Sequence, residues 1–292
     1  MNPSATLAVV GGDVRQAYLA ALLQEGGYCV RTFALDRHPI DGCCAADDLR
    51  TCFSGVQAVI LPLPVQHGST LLNAPLANAV YPLRDVIDAV PPGTIALAGA
   101  VPFWLHARAV QNDIRLIDYL SREELAIRNA VPTCEGALQL AIEQTDRTLQ
   151  DTHCLVIGYG RIGALLAQKL DALGAYVTVS ARSSRDFARI ETAGLHALDT
   201  RHLHGHLSRF SIVFNTVPAP VLDTAALNEL PAPCLVIDLA SMPGGIETDA
   251  PVPPDCHVIH ALSLPGKVAP RSAAQAIYNT ICTILREEGV LQ

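Results

Sequence analysis

Short apolar runs and amphipathic stretches alternate along almost the whole chain. Thr6–Val10, apolar after its first residue, reads as a strand, and residues 14–24 then place apolar side chains at helical spacing. Residues 28–33 read as a second strand, and residues 58–61, closed by Pro62, as a buried one. A helix over 83–89, a strand over 94–98 and a last strand over 115–119 complete this part. Strands without an outward polar face, alternating with helices, predict a parallel sheet covered on both sides.

The pattern then changes. Pro132 reads as the opening of a long helix over 134–147, which leads straight into the apolar run 155–157. Strand and helix alternate again from 152 to 267, and residues 272–288 form one amphipathic helix. The expected fold is α/β, with two Rossmann-like or flavodoxin-like parallel-sheet domains and a ligand cleft between them. The domains are residues 1–131, a connecting helix over 132–150, a second domain over 151–268, and a C-terminal helix, 269–292, returning to the first domain.

Composition narrows the class. The 292 residues suit two domains, half of them are hydrophobic and 16% are charged, which disfavours disorder. The net charge is -8 and the basic residues do not cluster, so nucleic acid is not expected as a partner. No run approaches the roughly 20 apolar residues needed to span a bilayer, and the first residues lack the basic region of a secretion signal. The nine cysteines show no C-x-x-C spacing, and Cys29, Cys154, Cys234 and Cys282 sit in apolar runs, as buried free thiols of a reducing compartment do.

The main chemical signal is Gly158-Tyr159-Gly160-Arg161-Ile162-Gly163, set between a strand and a helix. Gly158 permits the tight turn, Gly160 lets backbone approach a pyrophosphate, and Gly163 lets helix and strand pack closely. Arg161 and Ile162 fall inside the loop. A second strand, 176–180, follows after one helix length and runs into Ala181-Arg182-Ser183-Ser184. An NAD site places a carboxylate there for the ribose 2′-hydroxyl. Here Arg182 can pair with a 2′-phosphate and Ser183 can donate to it, so the expected cofactor is NADP(H). Asn215-Thr216-Val217-Pro218 closes the strand over 212–214 and is placed for the ribose and nicotinamide.

Gly11-Gly12-Asp13-Val14-Arg15-Gln16 imitates this loop, and Asp36 imitates a ribose-binding acid. Asp13, however, stands where the close-approach glycine belongs, and Gln16 where the packing glycine belongs. The turn is therefore assigned to substrate, through Arg15 and Gln16, or to structure. Glu135, expected in the first turn of the connecting helix beside Thr133, is the candidate base, with Thr133 as cap or carboxylate donor. Arg271 is a candidate carboxylate partner, and Ser241 leads into the flexible Gly244-Gly245 loop. His202, His204 and His206 resemble a metal run but have no evident acidic companion, so no metal is expected. Cys134 reads as a buried thiol and not a nucleophile.

In order and spacing, several blocks resemble the A-subunit family of dipicolinate synthase from spore-forming bacteria. They are Val9–Gln16, Pro132–Gly136, Gly158–Gly163, Ala181–Ser184, Asn215–Pro218, Asp238-Leu239-Ala240-Ser241 and Pro265–Pro270. Two positions depart from that pattern: Met242 stands where the family carries Arg, and Lys267 where it carries an apolar residue. The resemblance implies an NADP-dependent oxidation of a dihydrodipicolinate-type ring to pyridine-2,6-dicarboxylate, a small dicarboxylate chemistry of the diaminopimelate–lysine branch. It adds Asp238 to the cofactor positions. It also implies, as partner, a flavoprotein-like B subunit, and as location the mother-cell cytoplasm of a sporulating bacterium. Self-association into a homo-oligomer stays open. So do two other readings: an NADP-dependent 2-hydroxyacid dehydrogenase, which needs a polarising Arg and a His–acid pair, and a non-catalytic NADP-binding subunit.

Overall fold

The computed structural model describes residues 5–291; residues 1–4, which carry part of the expectation about a secretion signal, lie outside them. The chain forms two compact units, one reaching to Asn129 and resuming at Ala269, the other Ala130–Val268.

In the first unit the strands are β1 (Thr6–Val10), β2 (Cys29–Phe33), β3 (Cys44–Ala45) and β4 (Ala58–Ile60). A small hairpin of β5 (Gln66–His67) and β6 (Leu71–Leu72) follows, then β7 (Ile95–Ala98) and β8 (Arg115–Asp118). The sheet order is β3-β2-β1-β4-β7-β8, all parallel. This is the order of a dinucleotide-binding sheet and not that of flavodoxin. Side chains alternate across β1: Ala8 and Val10 join one buried layer with Val59, Val86 and Leu105, while Leu7 and Val9 join the other with Leu19, Leu23 and Ile60. The helices are α1 (Val14–Glu25), α2 (Leu49–Phe53), α3 (Leu83–Asp88) and α4 (Phe103–Gln111). Cys29, expected to be buried, is exposed, because it is the first residue of β2.

Next comes α5 (Glu123–Glu143). It starts before Pro132, which lies inside the helix and not at its beginning. The true start signal is the acidic pair Glu123 and Glu124 in the first turn, where negative charge suits the helix dipole.

The second unit repeats the plan with β9 (His153–Ile157), α6 (Arg161–Ala172), β10 (Tyr176–Ala181), α7 (Ser184–Thr192), β11 (His196–Asp199) and β12 (Ile212–Asn215). It closes with α8 (Thr224–Glu229), β13 (Cys234–Asp238), β14 (Cys256–His260) and α9 (Leu264–Val268). Its order, β11-β10-β9-β12-β13-β14, matches that of the first sheet. Both faces are again buried, one with Val156, Leu166, Val179 and Phe214, the other with Leu155, Ile157, Phe210 and Val236. Finally α10 (Pro270–Glu287) packs on α1 within the first unit through Ile277, Ile281 and Leu285. Its end is held by Arg122, whose Nη1 and Nη2 donate to Glu287 at 2.7 and 2.9 Å.

Candidate functional site

The turn after β9 is built for something larger than itself. Gly158 has φ +97°, and a Cβ there would meet Thr216 Oγ1 at 2.5 Å. A Cβ on Gly163 would strike the Gly158 carbonyl oxygen, so helix and strand meet at a distance only glycine permits. Around Gly160 the situation is reversed: a Cβ would find nothing within 4 Å. Gly160 is also the N-cap of α6, with no side-chain hydrogen bond to the helix. No side chain at the N-cap therefore covers the positive dipole end of this 12-residue helix, which suits a pyrophosphate.

Gly160 lines a hollow of about 370 Å³, and every residue lining it comes from the second unit. Gly158, Gly160, Arg182, Ser183, Thr216, Val217 and Pro218 are among the lining residues, as are three given no role from the sequence: Tyr159, Asp186 and Thr200. Ser183 caps α7 by accepting from Asp186 N at 3.1 Å, and its hydroxyl donates to Asp186 Oδ2 at 2.7 Å. Arg189 lies 3.3 Å from Asp186 Oδ1 and sits over the Tyr159 ring at 5.1 Å. Asp186 thus has a cation beside it, and Arg182 stays exposed at the end of β10. The S-x-x-D spacing of a capping box was the available signal for Asp186. An adenosine ribose with its pyrophosphate fits this donor set.

Other candidates have structural work. Asn215 is fully buried: its Nδ2 donates to Val217 O at 3.0 Å and Asp238 Oδ1 at 2.8 Å, and its Oδ1 accepts from Val217 N at 3.1 Å. Asp238, 1% exposed, also accepts from Ala240 N at 3.1 Å and Gly245 N at 2.8 Å. These two residues position the turn after β12 and the loop after β13. Ile162 offers its carbonyl to Cys134 Sγ at 3.5 Å, and Arg161 opens α6 on an exposed face. Ser241 is exposed, and its carbonyl accepts from Gly244 N. Met242, at the departing position, is 75% exposed.

Three readings need correction. Glu135 and Thr133 lie within α5, so neither the first-turn charge argument nor the capping argument applies. Thr133 is buried, while Glu135 is exposed and 3.6 Å from Lys169 Nζ. Lys169 stands eight residues past the start of α6, about 12 Å along its axis and away from the phosphate end. That geometry gives Glu135 an exposed ion pair and removes the helix-start argument that marked it. Gln16 is buried and donates from Nε2 to Ile60 O at 3.2 Å, filling the space beside Gly12. His204 does have acidic companions: Asp223 lies 3.3 Å from its Nε2 and Glu229 3.3 Å from its Nδ1.

In the first unit Arg15 is held by Asp13, with Nε at 3.0 Å and Nη2 at 2.8 Å, and Nη2 also donates to Leu63 O at 2.6 Å. Arg271 is the second residue of α10 and is exposed. Burial pushes the Cys134 thiol up to about 12, so it stays protonated and unreactive at neutral pH.

Sequence and structure comparisons agree with this layout. Residues 6–120 match the model of the N-terminal domain of the dipicolinate synthase A subunit, and residues 147–258 match a putative NAD(P)-binding family. The dipicolinate synthase A subunit of Bacillus subtilis (strain 168) is 32% identical over 286 residues, covering 96% of each chain. The crystal structure of the Bacillus subtilis A subunit superposes with a TM-score of 0.86 over 98% of each chain, at 32% identity. That of the Bacillus halodurans A subunit gives 0.89 at 28% identity, over 96% of this chain and 97% of its own. A transhydrogenase from Sinorhizobium meliloti shares the fold, with a TM-score of 0.70 at 15% identity over 96% of this chain and 94% of its own. With two dinucleotide-type sheets, a glycine turn opening a helix in the second, and homology over 96% of its length, the chain is an NAD(P)-dependent oxidoreductase and belongs to the A-subunit family of dipicolinate synthase.

Proposed function

We propose that the chain oxidises a dihydrodipicolinate-type ring to pyridine-2,6-dicarboxylate with NADP⁺ as the acceptor. The observation that carries the substrate is the 32% identity to the Bacillus subtilis A subunit over 96% of both chains. The choice of NADP(H) over NAD(H) is supported by Arg182, which occupies the end of β10 where an NAD site places an acid.

The cofactor supplies the hydride acceptor. The residues of the chain bind and orient. Gly160 and the first N–H groups of α6 would hold the pyrophosphate, and Arg182 the 2′-phosphate, while Thr216, Val217 and Pro218 would flank the nicotinamide ribose. Arg271 and Ser241 are exposed donors for substrate carboxylates. Arg15 keeps Nη1 for the same task, since its bonds to Asp13 and Leu63 run through Nε and Nη2. A 2-hydroxyacid dehydrogenase needs a polarising arginine, and Met242 occupies the loop position where one would serve.

By the same family reading, the chain works with a flavoprotein-like B subunit in the mother-cell cytoplasm of a sporulating bacterium. The test is reduction of NADP⁺, and separately of NAD⁺, by freshly generated dihydrodipicolinate, with and without the B subunit. The expected result is faster reduction of NADP⁺ and a further gain on adding B. Absence of turnover in every combination would overturn the proposal.

A further inference from the structure

Glu135 is ion-paired with Lys169, and a second candidate proton acceptor stands at the carboxyl edge of the sheet. We propose that His260 takes the proton of the oxidation at Nε2, with Asp238 as the positioning residue behind it; this rests on the reading of the chain as a dihydrodipicolinate oxidoreductase.

Asp238 is the more unusual of the two residues. It ends β13, is 1% exposed, and receives hydrogen bonds from Asn215 Nδ2, Ala240 N and Gly245 N. All three are donors, which leaves the carboxylate as an acceptor only. Among the described residues, the one basic side chain within ion-pair reach is His260, whose Nδ1 is 3.5 Å from Asp238 Oδ2. The pairing follows from sheet register. His260 ends β14, and Asp238 and His260 are direct partners across the two parallel strands. The loop after β13 is shaped around the same carboxylate: a Cβ on Gly244 would meet Asp238 Oδ2 at 2.7 Å, and one on Gly245 would strike Asn215 Nδ2.

The histidine, by contrast, is open, with its side chain 60% exposed. A carboxylate 3.5 Å from Nδ1 favours the tautomer with hydrogen on Nδ1, which leaves the lone pair on Nε2. Nε2 lies across the ring from the carboxylate and is left for a ligand. This is the arrangement of a general base backed by a buried acid.

Position supports the same assignment. Every strand of this sheet is parallel, so Gly158, Asn215, Asp238 and His260 all stand at its carboxyl edge. A dinucleotide crosses that edge at the point where strand order reverses, between β9 and β12, with its nicotinamide half on the β12 side. β14 lies two strands beyond β12, about 10 Å away. A continuous set of contacts joins the two places: Val217 of the hollow bonds Asn215, Asn215 bonds Asp238, and Asp238 meets His260.

The chemistry balances. Oxidation of the dihydro ring removes two electrons with one hydrogen as hydride, which the nicotinamide accepts, and one hydrogen as a proton, which Nε2 accepts. The imidazolium so formed faces the Asp238 carboxylate and then releases the proton to water.

The test counts protons. Calorimetry of pyridine-2,6-dicarboxylate binding to the full chain with NADP⁺ is run in two buffers of different ionisation enthalpy near neutral pH. The unmodified chain is expected to take up protons on binding, because a bound dianion beside the ring favours its charged form. His260→Gln is expected to bind the dicarboxylate with almost no uptake and to lose about 100-fold or more in turnover, with NADP⁺ affinity within about twofold of normal. Binding by the unmodified chain without proton uptake would overturn the proposal, as would a His260→Gln chain that keeps its turnover. In either of those outcomes the unmodified chain still reduces NADP⁺, so only the histidine assignment fails. An unmodified chain that neither binds the dicarboxylate nor reduces NADP⁺ overturns the functional reading and this assignment with it.

Discussion

The two sheets share one strand order, and each has a glycine turn after its first strand followed by a 12-residue helix. Only one of those turns is open. At the start of α1, Asp13 is the N-cap and accepts from Arg15 N at 2.9 Å, with the Arg15 guanidinium locked onto the same carboxylate. Gln16 fills the space against Gly12. At the start of α6, Gly160 caps without a side chain and Gly163 presses on the Gly158 carbonyl. In the first unit a side chain of the cap residue satisfies the helix N-terminus; in the second the cap residue has no side chain to do so. Topology offers an anion site at both turns, and the residue at the cap decides whether it exists.

The comparison can be broken by exchanging residues between the turns. The largest effect is expected from Gly163→Gln, which gives α6 the residue of α1. Its Cβ would collide with backbone, so unfolding in urea should show a loss of about 3 kcal/mol or more, together with loss of dinucleotide binding. Next is Arg182→Asp, which restores the acid of an NAD site. Loss of a charge-assisted bond of about 1.5–3 kcal/mol should weaken NADP⁺ binding roughly 10- to 150-fold and shift preference to NAD⁺. Equal affinities of the unmodified chain for the two cofactors would contradict the role given to Arg182. The smallest effect belongs to Asp13→Ala, which removes the α1 cap. It should lower stability by about 1 kcal/mol in a denaturant titration and create no second dinucleotide site, because Gln16 remains.

What was legible in the sequence depended on how local the determinant is. Gly158 and Gly163 act through backbone space beside the turn they form, and their spacing reveals them. Pro132 misleads because proline is favoured at a helix start; inside α5 it removes only one donor, and the helix continues through it. That single residue moves Glu135 and Thr133, on paper, to a helix terminus they do not occupy. Gln16 passes for a ligand-facing residue because the imitation of a phosphate loop hides its packing role. The Asp238–His260 pair is invisible for another reason. The two residues are far apart in sequence and meet only through the register of β13 with β14, and no local pattern encodes that register. The same holds for His204, whose two carboxylates come from Asp223 and α8.

The central claim is that the uncapped start of α6 is the dinucleotide site. Gly160→Asp tests it most directly, since it imports the one residue that closes the matching turn of the first unit into a place where a Cβ meets nothing within 4 Å. Calorimetric titration with NADP⁺, beside a thermal melt, should show one site per chain in the unmodified protein, no detectable binding in Gly160→Asp, and closely similar melting for both. Undiminished NADP⁺ binding by the folded Gly160→Asp chain would contradict the account and place the nucleotide elsewhere.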